Sequence, residues 1–300
     1  MAIFYLLSIT AILVVCSGVL YGDLGGVASR SFNATCLELS IVILPLLPGC
    51  IGLRLARGAI DRTVYRCLGR NAYLSFAFIG TTIHEISHLI LCMLFGHKIV
   101  EAKLFSPDMA TGELGHISHS YNPRNVYQSV GNLFIGIAPI MLGPALIIGM
   151  LSFFDGGLDF INRSPMPFPH ISPAGEGMTY WADFLRSLSH WYVQAISPLF
   201  RKGNLANAWF YIYLLITIAI AGHLSPSLAD IRGSFVGLVT LFLALVSINS
   251  LVPGLVLEFR NLTTYINFVN NLLLQTLAIN VSLAMLLYCV AMGLRFGTRR

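Results

Sequence analysis

The sequence predicts an α-helical polytopic membrane protein with about six to seven membrane segments and a small membrane-associated β-hairpin. Composition is the first reason. Hydrophobic residues make up 56% of the 300 and charged residues only 10%, for a mean hydropathy of +0.77, well outside the composition of soluble domains. The second reason is that long apolar runs recur along the chain, separated by short polar segments. The third is the placement of charge: the 18 basic and 13 acidic residues, net +5, lie beside the runs and form no long basic tract. A lipid bilayer is therefore an expected partner and nucleic acid is not. Of the six cysteines, only Cys67 lies away from the apolar runs, and no spacing predicts a disulfide framework or a Cys-x-x-Cys metal site.

Taken in order, residues 2–21 are long enough to cross a ~30 Å hydrocarbon core. They lack a basic n-region, so an uncleaved first helix is expected. Residues 37–55 form a second apolar run containing Pro45 and Pro48, which membrane helices tolerate when neighbours satisfy the freed carbonyls. Arg54, Arg57, Arg62, Arg66 and Arg70, opposed by Asp61 alone, then read as a short loop, cytoplasmic by the positive-inside rule. Residues 1–72 thus form an N-terminal transmembrane hairpin with a basic loop, 73–252 a membrane core, and 253–300 a C-terminal helix with a basic tail.

The core opens with residues 74–95, an apolar run carrying His84-Glu85-Ile86-Ser87-His88 at its middle. Two histidines four apart on a helix sit about 40° apart around its axis, so both imidazoles can reach one metal ion. This is the HExxH zinc signature. Glu85 is the sole charged side chain between residues 73 and 95, and an ionisable residue at membrane depth is expensive enough to imply function. A metal held by His84 and His88 would bring the pKa of a bound water toward ~7, with Glu85 placed to take the proton. The structural alternative is a chance match whose histidines bond to neighbouring helices and whose Glu85 pairs with a base.

Residues 99–106 and 112–121 are short, partly alternating and bounded by Gly, Pro and Asp, so they read as a hairpin turning through 107–111. Its edges cannot face lipid, and an edge strand can bind an extended peptide. His116 and His119, three apart, fall on opposite faces and read as hydrogen-bonding surface residues. Residues 130–154 form the next span, in which Gly131, Gly136 and Gly143 permit close helix packing. Asn132 in this span either bonds a neighbouring helix or donates to the oxyanion of a reacting peptide.

A proline-rich irregular stretch follows from residue 155. Over 180–196, Trp181, Phe184, Leu185, Leu188, Trp191 and Tyr192 share one face, as in an interfacial helix. Residues 208–221 and 235–252 are apolar and flank a break, where Ser225 and Pro226 suit the N-cap and first position of the second helix. Two histidines need a third protein ligand. Asp230 at this break is the first choice and His223 the alternative, while a structural reading pairs Asp230 with Arg232. The last run, 267–294, carries Asn267, Asn271 and Gln275 on one stripe that must face protein or water.

The chain resembles the site-2 protease family of intramembrane zinc metalloproteases. The resemblance rests on His84-Glu85-Ile86-Ser87-His88 in a membrane run, the hairpin after it, the Gly/Pro-containing span, and a later acidic residue at a helix break. It implies one Zn2+ ion held by His84, His88 and Asp230, Glu85 as the base, and transmembrane segments of other proteins as substrates. The family's aspartate commonly lies in Asn-Pro-x-x-x-x-Asp-Gly, whereas here Ser225-Pro226-Ser227-Leu228-Ala229-Asp230 is followed by Gly233 three residues on. A minimal, divergent member is therefore expected.

Basic residues at both the 54–70 segment and the C-terminus (Arg295, Arg299, Arg300) favour the cytoplasmic side, which an odd number of crossings between them forbids. Residues 208–221, ~21 Å as a helix, are expected to penetrate without crossing. A second functional class, a metal-ion transporter or a non-catalytic metal-binding protein, would use the same side chains. Transporters commonly carry internal repeats and polar residues on several helices, and neither pattern is present. Localisation in the cell membrane is expected.

Overall fold

In the computed structural model, residues 46–108, 112–154, 196–224 and 226–251 are described, with isolated positions at 35, between 186 and 194, and between 276 and 289. The predicted first span lies outside them. So do most of the proline-rich stretch, most of the aromatic face of 180–196, and much of the last span.

Helix α1 spans Leu46–Leu94 and breaks at Gly69 (φ 83°, ψ 177°), a backbone state that glycine adopts without Cβ strain. The basic segment expected as a loop is therefore helical. Between Pro48 in its first turn and the kink at Gly69 it holds no further proline, and its Arg, Leu and Ala residues favour helix. Arg62, Arg66 and Arg70 are exposed along it, and Arg62 Nε donates to the Gly58 carbonyl at 2.6 Å. Beyond the kink, Gly69–Leu94 is long and apolar enough to cross a membrane.

Strands β1 (Lys98–Lys103) and β2 (His116–Ser120) form the expected antiparallel hairpin, with an irregularity between Ile99 and Glu101. The span expected over 130–154 is instead two helices, α2 (Val126–Gly136) and α3 (Ala138–Leu151), meeting at 55°. Pro139 at the start of α3 supplies the cause, since it has no N–H and its ring crowds the carbonyl four residues back.

A short 3-10 turn (Ser197–Phe200) and helix α4 (Lys202–Leu205) lead into α5, Ala208–Gly222. Fifteen residues give α5 a length of ~22 Å, short of the hydrocarbon thickness, and Phe210, Tyr213 and Ile218 to Gly222 are buried along it. Helix α6, Leu228–Leu251, is the second helix able to cross a membrane among the described residues, and the bent α2–α3 pair is a third if counted as one span.

The core is apolar and divided by level. Ile148, Leu151, Phe210, Tyr213 and Ile279 form one cluster, Ile140, Ile147, Ile220 and Leu224 a second, and Leu91, Cys92, Ile135 and Ala138 a third beside the hairpin. Tyr192 packs on the first cluster and its hydroxyl meets Ser282 Oγ at 2.7 Å.

Candidate metal centre

Helix α1 stacks His84 and His88 one turn apart, with their Nε2 atoms 3.1 Å from each other. Each ring turns its other nitrogen to a main-chain carbonyl. His84 Nδ1 lies 2.6 Å from His223 O and His88 Nδ1 lies 2.7 Å from Ile135 O. A carbonyl oxygen only accepts, so each Nδ1 carries a hydrogen and each neutral ring presents a bare Nε2. Two lone pairs face to face at this distance repel unless a cation, a metal ion or a proton, lies between them.

Both carbonyls are available because helices end there. An α-helix would use Ile135 O to accept from the N–H of residue 139, and Pro139 has none. His223 is the C-terminal cap of α5, so its carbonyl has no intrahelical donor. Neither role was visible from the HExxH spacing; the proline four residues after a carbonyl was the one local signal.

Asp230 completes the group. Its Oδ1 is 3.4 Å from His88 Nε2 and its Oδ2 is 3.7 Å from His84 Nε2. Its carboxylate also accepts from Ser227 N–H at 2.6 Å while Ser227 Oγ accepts from Asp230 N–H at 3.1 Å. This reciprocal pair is a capping box in which the acid is an aspartate. It makes Ser227, and not Ser225 as expected, the residue that caps α6, because the Ser-x-x-Asp spacing lets side chain and backbone exchange bonds. Asp230 therefore pairs with the histidines in place of the Arg232 considered from sequence, and the first turn of α6 holds it at a favourable dipole end.

Close helix contact brings Asp230 within reach of α1. A Cβ on Gly136 would run into the Asp230 carbonyl and Ser234, and one on Gly237 would run into the backbone of Leu133. Small residues at these two points let α2 and α6 touch along their backbones.

The three donors, all within 4.8 Å of one another, can hold a metal ion. The two imidazole nitrogens are 3.1 Å apart, close to the ~3.3 Å edge of a tetrahedron with metal–ligand bonds of ~2.0–2.1 Å, and each faces a different oxygen of the Asp230 carboxylate. Three protein donors leave a fourth position open, the pattern of catalytic sites. The group lines a cavity of about 360 Å³ that also contains Glu85, Asn132 and Glu113. Among its described lining residues are three carboxylates, several histidines and no lysine or arginine, a lining hospitable to a cation.

No family model, curated protein or solved structure matches this chain. The site must therefore be read from its own geometry. Glu85 is buried, 6% exposed, and faces the same cavity as the histidines. His223 also lines the cavity, outside the three-donor group; its Nδ1 meets Ala219 O at 2.9 Å, and its carbonyl orients His84. Asn132 is buried in the cavity wall with Nδ2 donating to Ser129 O at 3.3 Å, which leaves that nitrogen a second hydrogen. His116 and His119, expected as surface residues, both line the cavity. His116 is bound on both nitrogens, to Glu101 at 3.1 Å and Glu113 at 3.2 Å.

Proposed function

We propose that this chain is a zinc-dependent intramembrane endopeptidase of the site-2 protease type, cleaving a peptide bond in or near a transmembrane segment of another protein. The observation that carries the reading is the conjunction, in one cavity, of three metal donors within 4.8 Å of one another with Glu85, on two helices each apolar enough to cross a membrane. His84, His88 and Asp230 would hold the ion, and zinc suits a site of two imidazoles and one carboxylate.

Bound zinc supplies Lewis acidity to the attacking water and the scissile carbonyl. The chain's residues do the rest. Glu85 takes the proton from the attacking water and returns it to the leaving nitrogen, which needs a carboxylate within hydrogen-bond reach of both. Asn132 directs its second amide hydrogen toward the oxygen on which charge develops. The Ile135 and His223 carbonyls keep the two imidazoles in the tautomer that binds metal.

The protein is multi-pass in this reading and resides in the cell membrane, with six full spans. Residues 208–221 enter from one side without crossing, and the contact of the His223 carbonyl just beyond them with His84 supports an end at that depth.

The test is the zinc content of the detergent-purified protein, with Glu85→Gln and His88→Ala variants, beside a proteomic comparison of membrane-protein fragments. Near-stoichiometric zinc in wild type and Glu85→Gln but not His88→Ala, with fragments lost in both variants, is the expected result. Fragments indifferent to Glu85, or zinc flux into proteoliposomes that survives Glu85→Gln, would reject the peptidase in favour of a transporter or a passive metal site.

A further inference from the structure

His119 in the cavity wall, and His97 behind it, have no part in the metal group. His97, 6% exposed, lies in the turn between α1 and β1, with its ring stacked on Tyr121 at 5.2 Å. Its Nε2 is 2.8 Å from Gln128 O and its Nδ1 is 2.9 Å from His119 Nδ1. Gln128 is itself fixed: its side chain donates to Gly96 O at 2.8 Å and accepts from Asn122 N–H at 2.8 Å.

The proton positions follow from the chain end. Gln128 O can only accept, so His97 carries its hydrogen on Nε2 and, when neutral, presents a bare Nδ1. His119 must then donate from its own Nδ1, which leaves His119 Nε2 bare. With its Nδ1 committed to His97, the His119 nitrogen left for the cavity it lines is Nε2. Burial first, then the neighbouring His97, holds the His119 imidazole below the ordinary histidine pKa, in keeping with a neutral ring.

A bare nitrogen accepts and does not donate, so it cannot steady an oxyanion. It suits an N–H. We propose that His119 is a substrate-binding residue of the peptidase site, whose Nε2 accepts a hydrogen bond from a main-chain N–H of the peptide near the scissile bond, and that His97 is a positioning residue that fixes the His119 tautomer. This rests on the peptidase reading above. It gives the hairpin a chemical task in addition to its exposed edge.

Two measurements test it. In the metal-free protein in detergent near neutral pH, 15N NMR of labelled histidine, assigned through His97→Phe and His119→Phe variants, should show His119 protonated on Nδ1 and His97 on Nε2. The reverse tautomer at His119 overturns the proposal. In the zinc-loaded protein, His119→Phe should lower kcat/KM about tenfold, the scale of one lost hydrogen bond that leaves a buried partner unpaired, while zinc content is unchanged. His119→Gln, which restores an acceptor, should recover part of the loss, and His97→Phe should reproduce the loss together with a mixed His119 tautomer. An active wild type indifferent to His119→Phe overturns the role of His119 and leaves the peptidase standing. A zinc-loaded wild type that cleaves nothing overturns both, whatever the tautomer.

Discussion

His88 Nδ1 lies 2.7 Å from the carbonyl oxygen of Ile135, and Pro139 four residues on leaves that oxygen without its helical donor. The bend between α2 and α3 and the orientation of a metal-binding imidazole thus have one cause. Pro139→Ala restores an N–H that competes for Ile135 O and favours a straighter helix. Zinc affinity, measured by chelator competition, should fall about 10- to 100-fold, as when an outer partner of a ligating histidine is lost. Unchanged affinity would remove the proline from the account.

The ligand set makes a second prediction. Asp230→Asn keeps the size of the side chain and an acceptor for Ser227 N–H but removes the charge, and zinc should be lost. His223→Gln should retain zinc, because His84 uses the His223 carbonyl, which any residue supplies. If the two variants lose metal equally, His223 belongs among the ligands.

Helix contact is tested at the glycines. An added methyl at Gly136 or Gly237 meets backbone atoms of the facing helix, and overpacking of this kind costs about 1–3 kcal/mol or more. Because α6 would have to move away from α2, zinc binding should weaken together with stability. Gly149→Ala is the control, since nothing lies within 4 Å of its new Cβ; it should be neutral or stabilising by up to ~1 kcal/mol. Unfolding in detergent, followed with and without zinc, separates the two effects.

Acidification should weaken the metal-free fold through His119. Its folded pKa is lowered, by burial first and by His97 second, against an opposing pull from Asp230. The unfolded chain therefore binds the proton more readily, and stability is lost as pH falls from the unfolded value of ~6.5 through the folded one. His119→Phe should remove up to one proton from the pH dependence of the unfolding midpoint below ~6.5. An unchanged slope would show that His119 titrates alike in both states.

Local spacing made much of this site readable. Residues four apart on a helix share a face whatever surrounds them, so His84 and His88 paired on paper as they do in space. The hairpin was legible for a similar reason, with glycine, proline and aspartate bounding two short alternating runs. The reading failed where local signals competed. The charge of the arginines at 54–70 predicts a loop, while their helical spacing and the Arg, Leu and Ala propensities favour the helix that forms. Ser225-Pro226 is the more conspicuous cap signal before α6, but the Ser227–Asp230 pair makes two reciprocal bonds and caps that turn.

By itself the sequence determined the membrane-protein composition, the HExxH pair, and a short set of acids and histidines able to complete it, because composition and helical periodicity act within a few residues. Only the tertiary structure brought Asp230 beside both histidines, recruited the Ile135 and His223 carbonyls, and linked His97 to His119. Those relationships join residues 22 to 146 positions apart, and their distances depend on where glycines let helices meet and where a proline or a helix end leaves a carbonyl open.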